Sequence, residues 1–98
     1  MKKHASKKHS VHVSVGERLR DARKKSGLTQ EELAFHADLN AKYVGCVERG
    51  EKDISVARLM RLLEVVGCPP SRFFADFPMG DRPKDLRSKA GKPSAKKT

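Results

Sequence analysis

No run of about 18 apolar residues, the length a helix needs to cross a bilayer, occurs anywhere in this chain. The lysine-rich start MKKHASKKHSVHVSVG also lacks the apolar stretch of a signal peptide, so a cytoplasmic location is expected, with no membrane partner. Cysteine is scarce. Cys46 and Cys68 fit a reducing compartment, and neither is placed as an obvious disulfide half. His4, His9 and His12 lack the paired cysteines or the i, i+4 spacing that would pre-form a metal site, and no metal is expected. Acid, base and nucleophile groups do not converge: the carboxylates are scattered over helix surfaces and His36 stands alone. Catalysis, a cofactor and a small-molecule ligand are therefore not expected. Strand-like alternation and internal repeats are missing too, which leaves an all-α class, and 98 residues give room for one small domain.

What is abundant is positive charge, with 22 Lys and Arg against 12 Asp and Glu and a formal net charge of +10. Its distribution is uneven. Residues 1–14 hold four lysines and no acid, residues 78–98 hold seven basic and two acidic groups, and residues 15–77 hold eleven basic and ten acidic groups. The middle is nearly neutral. Any sequence reading must come from how its few cations are placed, while the ends supply a screened, sequence-independent attraction to polyanions. Lys, His and Ser dominate residues 1–13, and Lys, Pro, Gly and Ser dominate residues 78–98. Both are expected to be disordered tails around a domain at 14–77.

Five helices are expected within the domain. A Ser14-to-Glu17 capping box opens the first, which runs to about Ser26 with Val15, Leu19 and Ala22 inward before Gly27 stops it. Thr29 and Glu32 form a second capping box, followed by Leu33, Ala34 and Ala37 on one face. Asp38, Leu39 and Asn40 make a break. Asn40 can cap a third helix in which Val44 and Val47 point inward while Ala41, Lys42, Gly45, Cys46 and Arg49 point away, with Gly50 ending it. Ser55 caps a fourth, whose Leu59, Leu62, Leu63 and Val66 make the densest apolar stripe, and Gly67 ends it ahead of Pro69. A short fifth covers about Pro70 to Asp76, with Phe73, Phe74 and then Phe77.

Residues 28–50, LTQEELAFHADLNAKYVGCVERG, are expected to form two short helices joined by a tight turn, a unit suited to presenting its second helix to a DNA groove. The stretch resembles the Xre-type, lambda-repressor/Cro-like helix-turn-helix family, a likeness that covers about Val15 to Phe77. It rests on Gln30 opening the second helix, the small Ala34 at the helix crossing, Glu48-Arg49-Gly50 closing the third, and SVARLMRLLEVVGCPPSRFF behind them. Asp38 stands where such motifs commonly have Gly, and Asp is among the few residues that tolerate a left-handed backbone. The resemblance implies a five-helix domain that binds double-stranded DNA as a homodimer, with restriction-modification controller proteins as a subfamily of the same pattern.

In that setting geometry assigns roles. A helix in the major groove reads bases with the outward side chains of its first two turns, while caps and neighbouring helix N-termini bond phosphates. Thr29 and Gln30 open the second helix, and Gln30 matches a family position that bonds phosphate. Lys42 is the candidate for guanine O6 and N7, beside Tyr43, and Asn40 either caps the helix or reaches the DNA. Ala41 stands where relatives often have a long polar reader and offers only a methyl group. Gly45 and Cys46 are small as well, which lets the backbone lie close to DNA but leaves few hydrogen-bonding readers. Arg49 and Lys52 follow the helix and are expected to position rather than specify, although in the controller subfamily the residue matching Lys52 can approach the operator centre.

Glu48 lies near a helix C-terminus, a poor place for an anion, and so needs a cation; Arg23 occupies the family position that pairs with it. Of Phe73, Phe74 and Phe77 at most two can face the core, and a remaining ring can serve a two-fold dimer contact. The expectation is a transcriptional regulator specific for a DNA sequence. Two alternatives are an antitoxin or adaptor that binds a protein partner first and DNA second, and a sequence-tolerant nucleic-acid binder driven by its tails.

Overall fold

The computed structural model describes residues 10–80, so the expected disorder at 1–9 and 81–98 lies outside the described residues. All regular structure within that range is helical: α1 at Val11–Lys25, α2 at Gln30–Ala37, α3 at Ala41–Glu48, α4 at Val56–Val66 and α5 at Pro70–Phe73.

The start of α1 corrects the sequence expectation by one turn. Ser10, not Ser14, is the N-cap, its hydroxyl accepting from the His12 amide at 3.1 Å, and Ser14 lies inside the helix. Residues 10–13, assigned above to a tail, therefore belong to the domain. A serine cap is chemically the same at either place, and tertiary contact decides between them: the extra turn lays Val13 against Gly50 at the end of α3.

Among the described residues eleven apolar side chains form the core, of which Leu19, Leu33, Val44, Val47, Leu62 and Leu63 are fully buried. Each such side chain contributes about 1.5–3 kcal/mol of transfer free energy. α1 lies across α3, and α2 packs on both α3 and α4. The α1–α3 crossing is unusually close. A Cβ on Gly16 would stand 2.4 Å from the Val47 carbonyl oxygen and 2.6 Å from that of Glu48, so α1 rests on the backbone of α3 through a position with no side chain.

The far end is closed by α5, which is shorter than expected. It stops at Phe73, and Asp76 takes a positive φ of 49°. Arg18 of α1 holds this corner, donating to the carbonyl oxygens of Phe73 (2.8 Å), Ala75 (2.7 Å) and Asp76 (3.1 Å). Its guanidinium also lies 5.0 Å from the centre of the Phe77 ring. Phe73 is buried in the core, Phe77 is half-buried, and Phe74 is exposed.

Candidate nucleic-acid interface

The α2–turn–α3 unit is capped at each joint. Thr29 Oγ1 accepts from the Glu32 amide at 3.0 Å, and Glu32 Oε1 accepts from the Thr29 amide at 2.9 Å, which closes the box. Asp38 sits at φ 59°, ψ 47°, the left-handed conformation that turns the chain between helices. Arg61 of α4 donates to the Ala37 carbonyl at 3.0 Å and places a cation at the C-terminal end of α2. Asn40 caps α3, its Oδ1 accepting from the amides of Lys42 (2.8 Å) and Tyr43 (3.2 Å).

Behind α3 is a buried network. Arg23 donates through Nε to Glu48 Oε2 at 2.7 Å and through Nη2 to Glu48 Oε1 at 3.0 Å, while its Nη1 reaches the Leu28 carbonyl at 2.9 Å. The Glu48 side chain is 2% exposed and that of Arg23 11%. The hydrogen bond to Glu48 raises the Arg23 pKa against the opposing effect of burial, so the guanidinium stays charged. Glu48 Oε1 also accepts from Gln30 Nε2 at 2.9 Å, which ties the first residue of α2 to the last of α3. The second amide proton of Gln30 takes no part in this bond.

On the other face of α3 the side chains fall into two groups. Lys42 is exposed. Ala41, read above as outward, is half-buried against the core, and Tyr43 is half-buried with its hydroxyl donating to the Asp53 carbonyl at 3.1 Å and the Arg58 guanidinium 5.6 Å from its ring centre. Gly45 is buried rather than open: the side chains of Gln30 and Arg49 lie over it, each with an atom 3.3 Å from where a Cβ would stand. Cys46 is half-buried, with Arg49 Nη2 at 3.5 Å from its Sγ. Arg49 itself is gripped by Glu51 through Nε–Oε2 at 3.0 Å and Nη2–Oε1 at 3.2 Å, and that hydrogen bond raises its pKa. Lys52 is exposed on the following loop, which His12 of α1 also reaches through a contact between Nε2 and Asp53 Oδ1.

The structure thus gathers Thr29, Gln30, Asn40, Lys42, Tyr43, Cys46, Arg49 and Lys52 around α3 and its flanks, and leaves Phe73, Phe74 and Phe77 at the α5 corner. Sequence reasoning missed Gly16, Tyr43 as a loop anchor, and Arg58. For Gly16 there was a signal: a glycine inside a helical pattern, costly by about 1 kcal/mol relative to alanine, calls for a packing reason. Among the described residues no group of three or more His, Cys, Asp or Glu could hold a metal ion, both cysteines are free, and no helix is long and apolar enough to cross a membrane.

The helix-turn-helix family pattern matches residues 19–73. Control protein C.BamHI of Bacillus amyloliquefaciens is 30% identical over 63 residues, covering 63% of this chain and 78% of the relative. A transcriptional regulator in the ATPase CF(0) region of Rhodospirillum rubrum is 34% identical over 73 residues, covering 74% of this chain and 68% of the relative. The crystal structure of the restriction-modification controller protein C.AhdI from Aeromonas hydrophila is similar with a TM-score of 0.62 and 40% identity, over 64% of this chain and 96% of that one.

Proposed function

Since this chain belongs to the helix-turn-helix family and is a DNA-binding transcriptional regulator, we propose that it acts in the cytoplasm as a homodimer, with α3 of each protomer in the major groove of a symmetric or directly repeated site. The family is one of regulators and not of enzymes. The observation that carries the reading is the capped α2–turn–α3 unit, held from behind by the Arg23–Glu48–Gln30 network and leaving Lys42 exposed at the start of α3. Lys42 contacts a base edge, Asn40 and Thr29 set the helix ends, and Gln30 and Lys52 bond phosphates.

The ring that serves the dimer contact is Phe74. Phe73 is only 3% exposed and is spent on the core, and Phe77 lies under Arg18, whereas Phe74 is 40% exposed. Phe74 lines a shallow apolar cavity of about 150 Å³ with Val11, Ile54, Val56 and Leu59. Val11 and Val56 on its rim are 57% and 76% exposed, and a second copy covers them in a two-fold contact.

One observation favours the sequence-tolerant alternative: Ala41 and Gly45 offer no side chain that could bond a base, so few readers lie on α3 itself. Selection from a random duplex library at physiological salt, with the full chain and a fragment of residues 10–80 side by side, decides between them. The regulator reading expects both proteins to enrich one short site with two half-sites. Enrichment of nothing by the fragment and uniform binding by the full chain would leave the tails as the binding element.

A further inference from the structure

α3 has small residues, Gly45 and Cys46, where a reading helix ordinarily has long ones, and a guanidinium from beyond its end lies over both. Arg49 Nη1 comes within 3.3 Å of the missing Cβ of Gly45, and Nη2 touches Cys46 Sγ at 3.5 Å. Resting on the proposed function, we propose that Arg49 is a base-reading residue, presented over the Gly45–Cys46 bed and held in place by Glu51.

The grip by Glu51 decides between base and phosphate. Its carboxylate takes the Nε–Nη2 edge of the guanidinium in two near-parallel bonds of 3.0 and 3.2 Å. That pairing offsets the charge of Arg49 and puts an anion beside it, which makes the pair a poor counter-charge for a phosphate. It leaves directional N–H donors at the Nη1 end, and no hydrogen bond among the described residues uses Nη1. Uncharged acceptors arranged along an edge, as guanine N7 and O6 are, match that end. The glycine lets both side chains lie this close, because a Cβ at position 45 would stand 3.3 Å from Arg49 Nη1 and from Gln30 Oε1 and would push each back by a few tenths of an ångström. Glu51 is in this sense a positioning residue: it fixes the fork before DNA arrives and reduces the entropy lost on contact.

The test uses the full chain and its R49A and E51Q variants on the site selected by the wild-type chain, on every single base-pair substitution of that site, and on an unrelated duplex across a salt series. Both side chains are more than half exposed, at 56% and 55%, so both variants fold, which far-ultraviolet dichroism verifies. R49A should lose about ten- to hundredfold discrimination at one base pair of each half-site and keep its salt slope. E51Q should lose part of the discrimination at that same base pair and bind the unrelated duplex more tightly, with a slope steeper by about 0.9 as the charge of Arg49 is released for phosphate. If R49A instead weakens all duplexes alike and lowers the slope by about 0.9, Arg49 is a phosphate contact and the assignment is overturned. A wild-type chain that selects a site whose base profile R49A leaves unchanged overturns Arg49 alone; a wild-type chain that selects no site overturns the regulator reading with it.

Discussion

Glu48 carries more of this molecule than its distance from the outer face of α3 suggests. Its carboxylate accepts from Arg23 on α1 and Gln30 on α2 while standing at the end of α3, so one side chain fixes three helices. Removal of a single member of such a buried pair costs about 3–5 kcal/mol, because the remaining charge loses its partner. For a domain whose whole stability is on the order of 5–15 kcal/mol, Glu48→Ala should leave much of the chain unfolded at 37 °C, read as a shifted urea midpoint. Replacing Arg23 and Glu48 together by methionine should recover most of that stability but not DNA affinity, since Gln30 would lose its acceptor. The opposite sign is expected at Asp38. A non-glycine residue in the left-handed region pays about 1 kcal/mol, so Asp38→Gly should raise the urea midpoint slightly. Part of this was readable beforehand: the need of an anion near a helix C-terminus for a cation, and the tolerance of Asp for the turn, follow from residue type, whereas Arg23 as the partner came from the family resemblance alone. The third bond on Glu48, from Gln30, was not, because nothing in the sequence says that an amide eighteen positions away will turn inward rather than toward DNA.

Among the elements, capping chemistry was the most legible layer and the place where it misled is informative. The Thr29–Glu32 box, the Asn40 cap, the Ser55 cap and the glycine stops all stand where local pattern puts them. The Ser14–Glu17 box does not, since Ser10 offers an equal cap and the longer helix gains the contact of Val13 with Gly50. Local propensity cannot rank two equal caps; the packing of segments far apart in sequence does. Removing the caps provides a graded measure of each helix end. Asn40→Ala should cost about 1 kcal/mol and Ser10→Ala about the same, whereas Ser14→Ala should cost little as a cap, a contrast that thermal unfolding resolves. α5 is shorter than the expected Pro70 to Asp76 for a related reason: Arg18 captures the carbonyls of Phe73, Ala75 and Asp76, where a longer helix would have used its own amides.

For the molecule as a whole, the proposed dimer face and the proposed DNA face adjoin, since Lys52 lines the same apolar cavity as Phe74. Phe74→Glu puts a charge into the exposed apolar face and should give a folded monomer by sedimentation velocity, with an unchanged melting temperature measured at a concentration where the parent is monomeric. Binding to a single half-site should persist in that variant, while the affinity advantage of the full site is lost. Gly16 constrains the chain from a place that neither face reveals. With the carbonyl oxygens of Val47 and Glu48 at 2.4 and 2.6 Å from its missing carbon, there is no room for even a methyl group, and those oxygens belong to backbone that cannot turn aside. In a library of all single substitutions, Lys42 should be depleted only when cells are selected for repression or activation, and Leu62 should admit other apolar residues. Position 16 should admit nothing in either selection. The freedom of this sequence to drift is then limited most sharply at a buried helix crossing, by a residue that has no side chain.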